Sequence, residues 1–464
     1  MSKKLLILFL ICILSGIINC TAQTAKIKVY FNHPVDTSLS SGVHAIFLNQ
    51  TIDDTIVAYI NRAKYSIDIA VYNYIQSGNI ANISGAINNA FANGIKIRWI
   101  YNESSSNSGL ANVTNGIHKL ASPAGTEYGI MHNKFMVIDA ASENLNDPIV
   151  LTGSCNWNEG QFYYDVNNVI IFQDSELAKA YTNEFNEMWG DTGLIPDAIH
   201  SKFGPYKSDN TQHLFNIGGI VVEQYFSPSD GANLRINDAI NSADEDLYFG
   251  VYTFTGSDLA NSIVNRIQNH NVQAVGIIDE FSLGYAPYDI LSPVMNNNLE
   301  VYTLSGSIYH NKMLIADPCT PGSDPLVETG SHNWTFSAET KNDENTVIIH
   351  SDTIANIYYQ SFYQNFVDLR GRLAFCKNIV GVKETEDLDF QIYPNPSNEM
   401  LNIISSDLPV TSFYIYNTLG KIIYSENNLF KNKIINTSTF QSGIYLIRFD
   451  INSVSFSKYL IVSH

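Results

Sequence analysis

The chain has 464 residues, 45% hydrophobic and only 15% charged, so it is long enough to bury more than one core, and a disordered or collagen-like chain is excluded. Its 26 Lys and Arg face 45 Asp and Glu, a net charge of -19 that supplies no basic cluster for gripping a nucleic-acid backbone, so no stable nucleic-acid complex is expected. Five cysteines with no CxxC pair and no short Cys/His spacing exclude a disulfide framework and a structural zinc site.

The N-terminus reads Lys3, Lys4, an apolar run from Leu5 to Leu14, Ser15 and Gly16, then Thr21-Ala22-Gln23. This pattern predicts an export signal peptide over 1–22, cleaved after Ala22, because the apolar run is too short to span a bilayer. Lipidation at Cys20 is the rival reading, and Asn19, where a small residue is wanted, disfavours it. Cleavage leaves Cys155, Cys319 and Cys376, an odd number that requires a free thiol or an intermolecular bond.

Two similar stretches follow, predicted as halves over 24–205 and 206–380. Ser66 to Tyr74 and Asp246 to Phe254 are strand runs ending in aromatics, each followed by a helical pattern and a second strand, Ile95 to Tyr101 and Val272 to Ile278. His132-Asn-Lys134 continues into an apolar strand and Asp139, and His310-Asn-Lys312 does the same to Asp317. Thr152-Gly-Ser154-Cys-Asn156-Trp157 matches Thr329-Gly-Ser331-His-Asn333-Trp334 at nearly the same spacing. Each half should end in a helix, one capped by Asp174 or Ser175 and running to Trp189, the other capped by Ser351 or Asp352 and running to Leu369. Alternating strands and helices in duplicate predict an α/β fold in which two mixed sheets flanked by helices form one unit.

His and Lys two apart on a strand share a face, so an imidazole and an ammonium project from a rigid element. Asp139 and Asp317 have the opposite parity, and bonding backbone or a basic neighbour at the strand end is their expected role. Trp157 and Trp334 are expected to pack beneath the motif and not to touch substrate. Histidines outside the paired pattern, such as His213 and His332, are expected in structural or surface roles.

Past Thr385 the pattern changes. An acidic linker at 381–389 leads into short strand-like runs, Phe413 to Tyr416, Lys421 to Tyr424 and Ile444 to Phe449, which predict a small all-β sandwich over 390–464.

Two in-register His-x-Lys-x4-Asp motifs, each followed by Thr-Gly-Ser-x-Asn-Trp, make the chain resemble the phospholipase D superfamily over about residues 24 to 380. The second half is similar to the bacterial nuclease and cardiolipin-hydrolase branch through Val251 to Thr255 and Glu328 to Asn345. The resemblance implies a phosphodiesterase with His132 as nucleophile and His310 as acid, and with Lys134, Lys312, Asp139 and Asp317 completing the catalytic set. It implies phosphoryl-oxygen binding by Asn156 and Asn333 with support from Ser154 and Ser331. An acidic residue downstream should orient each histidine: Glu344 for one, and for the other Asp165, beside Val166 at the aligned position. No metal or other cofactor is implied. Tyr393-Pro-Asn-Pro396, Asn417-Thr-Leu-Gly-Lys421, Ser442-Gly-Ile-Tyr445 and Lys458 resemble the C-terminal sorting domain of type IX secretion cargo, implying passage through the periplasm to the cell surface or medium. That machinery and a phospholipid or other phosphodiester are the expected partners. Two motifs in one chain make a monomer sufficient. Between Thr24 and Val380 there are 18 Lys and Arg against 37 Asp and Glu, so the net charge lies on the catalytic region and favours lipid over a nuclease substrate. A non-catalytic surface protein is disfavoured because both motifs are intact.

Overall fold

The computed structural model describes residues 26–125, 128–369, 390–405, 412–417, 421–426, 432–451 and 454–464. The export signal at 1–22 and the linker at 381–389 lie outside them. The chain divides into two compact units, Met1–Ile379 and Val380–His464.

The first half supplies β1 (Ile27–Phe31), β2 (Ile46–Phe47), β3 (Ser66–Val71), β4 (Lys96–Tyr101), β5 (His118–Ala121), β6 (Lys134–Ile138), β7 (Ile149–Gly153) and β8 (Asn168–Phe172), in the sheet order β2-β1-β8-β7-β6-β3-β4-β5. The second supplies β9 (Leu214–Ile217), β10 (Ile220–Ser227), β11 (Asp246–Val251), β12 (Gln273–Asp279), β13 (Leu299–Tyr302), β14 (Lys312–Ala316), β15 (Leu326–Gly330) and β16 (Glu344–His350). Their order, β13-β12-β11-β14-β15-β16-β10-β9, repeats the first with β11 in the place of β3 and β14 in the place of β6. Both sheets are mixed: β4 runs parallel and β6 antiparallel to β3, as β12 and β14 do to β11.

Helices cover both faces, which is why the central strands read as continuous apolar runs. Phe135 and Val137 of β6 face a core shared with Met313 and Ile315 of β14, while Met136 and Ile138 face a second core under the first half's helices. The shared core also takes in Tyr181 and Phe185 of the helix Ser175–Trp189 and Tyr358 and Phe362 of the helix Asp352–Asp368. Asp174 caps the first of these through the amides of Glu176 and Leu177, and Ser351 caps the second through that of Ile354. One core therefore spans both sheets, and the halves fold as a single body.

The C-terminal unit is all β. Phe390–Tyr393, Met400–Ser405 and Asn432–Asn436 form one sheet, and Ser412–Tyr416, Ile422–Glu426, Gly443–Ile451 and Val454–Val462 the other. Leu401, Ile403 and Ile435 of the first meet Phe413, Ile447 and Leu460 of the second in one apolar cluster, as a sandwich requires. Cys155 is a free, buried thiol, and Cys319 is disulfide-bonded. Among the described residues no helix is long and apolar enough to cross a membrane.

Candidate active site

The motif strands β6 and β14 begin at Lys134 and Lys312, and each histidine sits just before its strand. There the two halves are stitched together. The His132 amide donates to the Asp343 carbonyl at 2.9 Å, and the His310 amide to the Val166 carbonyl at 3.0 Å. Side chains repeat the crossing. Thr152 donates to the Asn345 side chain at 2.8 Å and Thr329 to the Asn168 side chain at 3.2 Å.

The imidazoles are held by the opposite half as well. His132 Nδ1–H donates to Glu344 Oε2 at 2.8 Å, and His310 Nδ1–H to Asn167 Oδ1 at 3.0 Å. The spacing that aligns Ser154 with Ser331 aligns Asn167, not Val166, with Glu344. Asp165 does not orient His310: its carboxylate accepts the Ile308 amide and the Gln161 side chain, both through 2.7–2.9 Å bonds. One partner is thus a carboxylate and the other a neutral amide.

Ser154 and Ser331 have a different task from the expected one. Each is fully buried, and each hydroxyl donates to a histidine partner, Ser154 to Asn167 Oδ1 at 2.8 Å and Ser331 to Glu344 Oε2 at 2.7 Å. The glycines before them make this possible. Gly153 and Gly330 have φ of 136° and 154°, and a Cβ at either would strike the carbonyl oxygen of Asn168 or Asn345. Asn156 and Asn333 lie beyond the serines with side-chain oxygens that have no partner among the described residues. Trp157 and Trp334 pack in the outer cores, as expected.

Asp139 and Asp317 do not reach the site. They sit at the far ends of β6 and β14, about 16 Å away at ~3.3 Å per residue. Asp139 accepts the amides of Lys64, Tyr65 and Ser66 at 2.7–2.9 Å, and Asp317 those of Asp244, Glu245 and Asp246 at 2.9 Å. They clamp the turns that enter β3 and β11, which is the strand-end role and not a catalytic one.

Both lysines are buried. Lys134 Nζ donates to the His132 carbonyl and Lys312 Nζ to the His310 carbonyl, each at 2.6 Å. Tyr72 and Tyr252 complete the walls, each ring 5.0 Å from its histidine, with Lys134 Nζ 5.4 Å and Lys312 Nζ 5.2 Å from the ring centres. The tyrosines lie within the strand runs that first marked the duplication, although their part in the site carried no separate signal.

Burial lowers His132 to about 4 against the pull of Glu344, so the imidazole is neutral at pH 7. Burial also lowers Lys134 to about 7, and burial with the neighbouring cations lowers His310 and Lys312 well below their ordinary values. Glu344, despite its burial, is held near 2 by His132 and Lys134, and so stays ionised. The site is a buried cluster of basic groups that burial and their mutual repulsion hold short of protons, and an entering anion favours their protonation. Binding of inorganic phosphate near pH 7 should therefore take up protons, read by calorimetry in buffers of different ionisation enthalpy. Above about pH 7 the affinity should fall roughly tenfold per pH unit as Lys134 loses its proton; phosphate binding with no proton uptake would contradict this electrostatic picture.

Residues 56–189 and 236–366 match the family profile described as cardiolipin synthase, PLD-like domain, one match for each half. The chain belongs to the phospholipase D superfamily. Residues 391–463 match the secretion system C-terminal sorting domain, which marks the protein for type IX secretion to the cell surface or beyond. A mitochondrial cardiolipin hydrolase of Xenopus laevis is 39% identical over 61 residues, 13% of this chain and 26% of the relative. A phospholipase D of Rickettsia bellii is 28% identical over 142 residues, 30% of this chain and 67% of the relative. Over the first of these, the chain spans only about a quarter of the relative's length. In fold, the chain is similar to the phosphatidylserine synthase of Haemophilus influenzae, with a TM-score of 0.51 at 14% identity over 75% of this chain and 87% of that one.

Proposed function

We propose that the protein is an exported phosphodiesterase that hydrolyses phospholipid to phosphatidate and a free head group through a phosphohistidine on His132. The observation that carries the division of roles is the unequal partnering of the histidines, Glu344 on one and Asn167 on the other.

A carboxylate on Nδ1–H fixes the tautomer that leaves the Nε2 lone pair free, and it stabilises positive charge as that nitrogen bonds to phosphorus. His132 Nε2 attacks phosphorus, the bond to the head-group oxygen breaks, and His310 gives that oxygen a proton. His310 receives this proton as the diester anion enters and offsets the cationic neighbours. Water then loses a proton to His310 and attacks phosphorus, the P–N bond breaks, and phosphatidate leaves with His132 neutral again. Lys134 and Lys312, with the Asn156 and Asn333 amides, hold the non-bridging oxygens as charge develops.

The acidic catalytic region supports lipid over nucleic acid, since a nuclease grips phosphates beyond the one it cuts. The halves are assigned to 24–205 and 206–380, with a signal peptide at 1–22, a linker at 381–389 and the sorting domain at 390–464, and a monomer contains the whole site. These residues complete the chemistry without a metal ion. In EDTA the purified protein should hydrolyse phosphatidylcholine vesicles at an undiminished rate; loss of activity on chelation, or rapid cutting of single-stranded DNA with inert vesicles, would replace this reading with another.

A further inference from the structure

The duplication gives each loop at the mouth of the site a counterpart in the other half. Ser105 donates to the Tyr72 carbonyl at 2.7 Å and Ser282 to the Tyr252 carbonyl at 2.9 Å, so the loops that follow β4 and β12 hold matching places. The first reads Asn102-Glu-Ser-Ser-Ser-Asn-Ser108 and has no apolar side chain. The second reads Asp279-Glu-Phe281-Ser-Leu283-Gly-Tyr285 and has three large ones.

Neighbouring segments extend the contrast. The turn that carries Leu304 is pinned beside this loop, because the Tyr309 amide donates to Asp279 at 2.7 Å. It is pinned on its other side to the first half, because the Ile308 amide donates to Asp165 at 2.9 Å, next to Tyr164. Phe281, Leu283, Tyr285, Leu304 and Tyr164 are each between 42% and 54% exposed. The row starts at the wall of the site, since Phe281 stacks on Tyr252 with ring centres 5.6 Å apart and Tyr252 lies 5.0 Å from His310. The mouth therefore has an apolar lip on the His310 side and a polar one on the His132 side.

A row of exposed apolar side chains beside a catalytic mouth marks a docking surface, and the charge around it says for what. Between Arg266 and Lys312 the chain has no Lys or Arg, while Asp279, Glu280, Asp289 and Glu300 fall in that interval. Such a surface is repelled by an anionic membrane and offers apolar insertion in its place. We infer that Leu283, Tyr285 and Leu304, continued by Phe281 and Tyr164, are a docking lip that seats the mouth of the site on an electrically neutral lipid surface. The inference rests on the phospholipase reading above and adds the face by which the protein meets its substrate and the charge of the surface it accepts.

Sedimentation with phosphatidylcholine vesicles tests this, in a His132→Ala background that leaves the lipid intact. Adding Leu283→Ser, Tyr285→Ser and Leu304→Ser should weaken binding by at least about tenfold. With His132 in place, the three substitutions should raise KM on vesicles by a similar factor, yet leave turnover of soluble bis(p-nitrophenyl) phosphate within about twofold, which also reports that the variant is folded. Phe281 is kept because it braces Tyr252. Leu304→Ser alone, the most exposed of the three, should shift vesicle binding in the same direction. Phosphatidylglycerol vesicles should bind more weakly than phosphatidylcholine vesicles at low salt. Vesicle binding unmoved by the substitutions, or tighter on phosphatidylglycerol, would overturn the lip. Self-association that the substitutions abolish, with no vesicle binding, would assign the surface to a second copy of the chain instead. Hydrolysis of vesicles at the native rate by the triple variant would remove the lip and keep the phospholipase, whereas lip-dependent vesicle binding without hydrolysis, beside rapid cleavage of single-stranded DNA, would remove the phospholipase and keep the lip.

Discussion

His310→Ala should release one equivalent of nitrophenolate per protein from bis(p-nitrophenyl) phosphate and then stop. Nitrophenolate is a good leaving group and needs no proton, so the attack by His132 proceeds without the acid. The second step has no such relief: water must be deprotonated to displace His132 from phosphorus, and the base is gone. Steady-state turnover should fall by about 10³- to 10⁴-fold while the burst remains, and an acid-labile phosphoryl group should be found on His132. His132→Ala should give neither burst nor turnover. Stopped-flow absorbance separates the two, and a burst seen in His132→Ala but not in His310→Ala would exchange the roles assigned to Glu344 and Asn167.

The second large effect concerns stability. Lys207 is fully buried between two carboxylates, donating to Glu184 and to the Ser227 carbonyl at 2.8 Å, with Asp343 Oδ1 at 3.2 Å. Asp343 in turn accepts the Tyr128 hydroxyl at 2.6 Å and the Gly204 amide at 2.7 Å, and its carbonyl takes the His132 amide. One ammonium thus ties the helix Ser175–Trp189, the segment between the halves and the residue beside Glu344. Lys207→Met strands two buried carboxylates and should destabilise the catalytic unit by about 3–5 kcal/mol in urea unfolding. Burial already pushes Glu184 up to about 8, so in the variant it will fold protonated. Adding Glu184→Leu should restore part of the loss, because a buried carboxyl left without its partner is then replaced by an apolar side chain; a Lys207→Met protein as stable as the native one would mean the network contributes little.

Periodicity exposed the duplication because it acts twice: the same strand and helix signals recur, and the two copies of His-x-Lys fall at the same register. The starts of the two closing helices were legible from Asp174 and Ser351, since capping is local chemistry. Asn167 was missed through a shift of one residue, and acidic Asp165 drew attention because an orienting group was expected to be charged. Ser154 and Ser331 looked like phosphate ligands because a hydroxyl beside a catalytic motif usually faces substrate; only the fold shows them turned toward Asn167 and Glu344. Lys207 gave no signal at all. It sits between Tyr206 and Ser208 in what reads as a connector, and its partners are distant in sequence.

The exchange of orienting groups between halves has an evolutionary consequence. A single half pairing with its own copy would have to place identical partners on both histidines, so nucleophile and acid would share one environment and alternate by chance. Once the copies are joined in one polypeptide, each can mutate independently, and a carboxylate can be kept on one imidazole while the other takes an amide. The centre is therefore directional in its partners, with Glu344 on one imidazole and Asn167 on the other, an asymmetry that two identical halves could not hold.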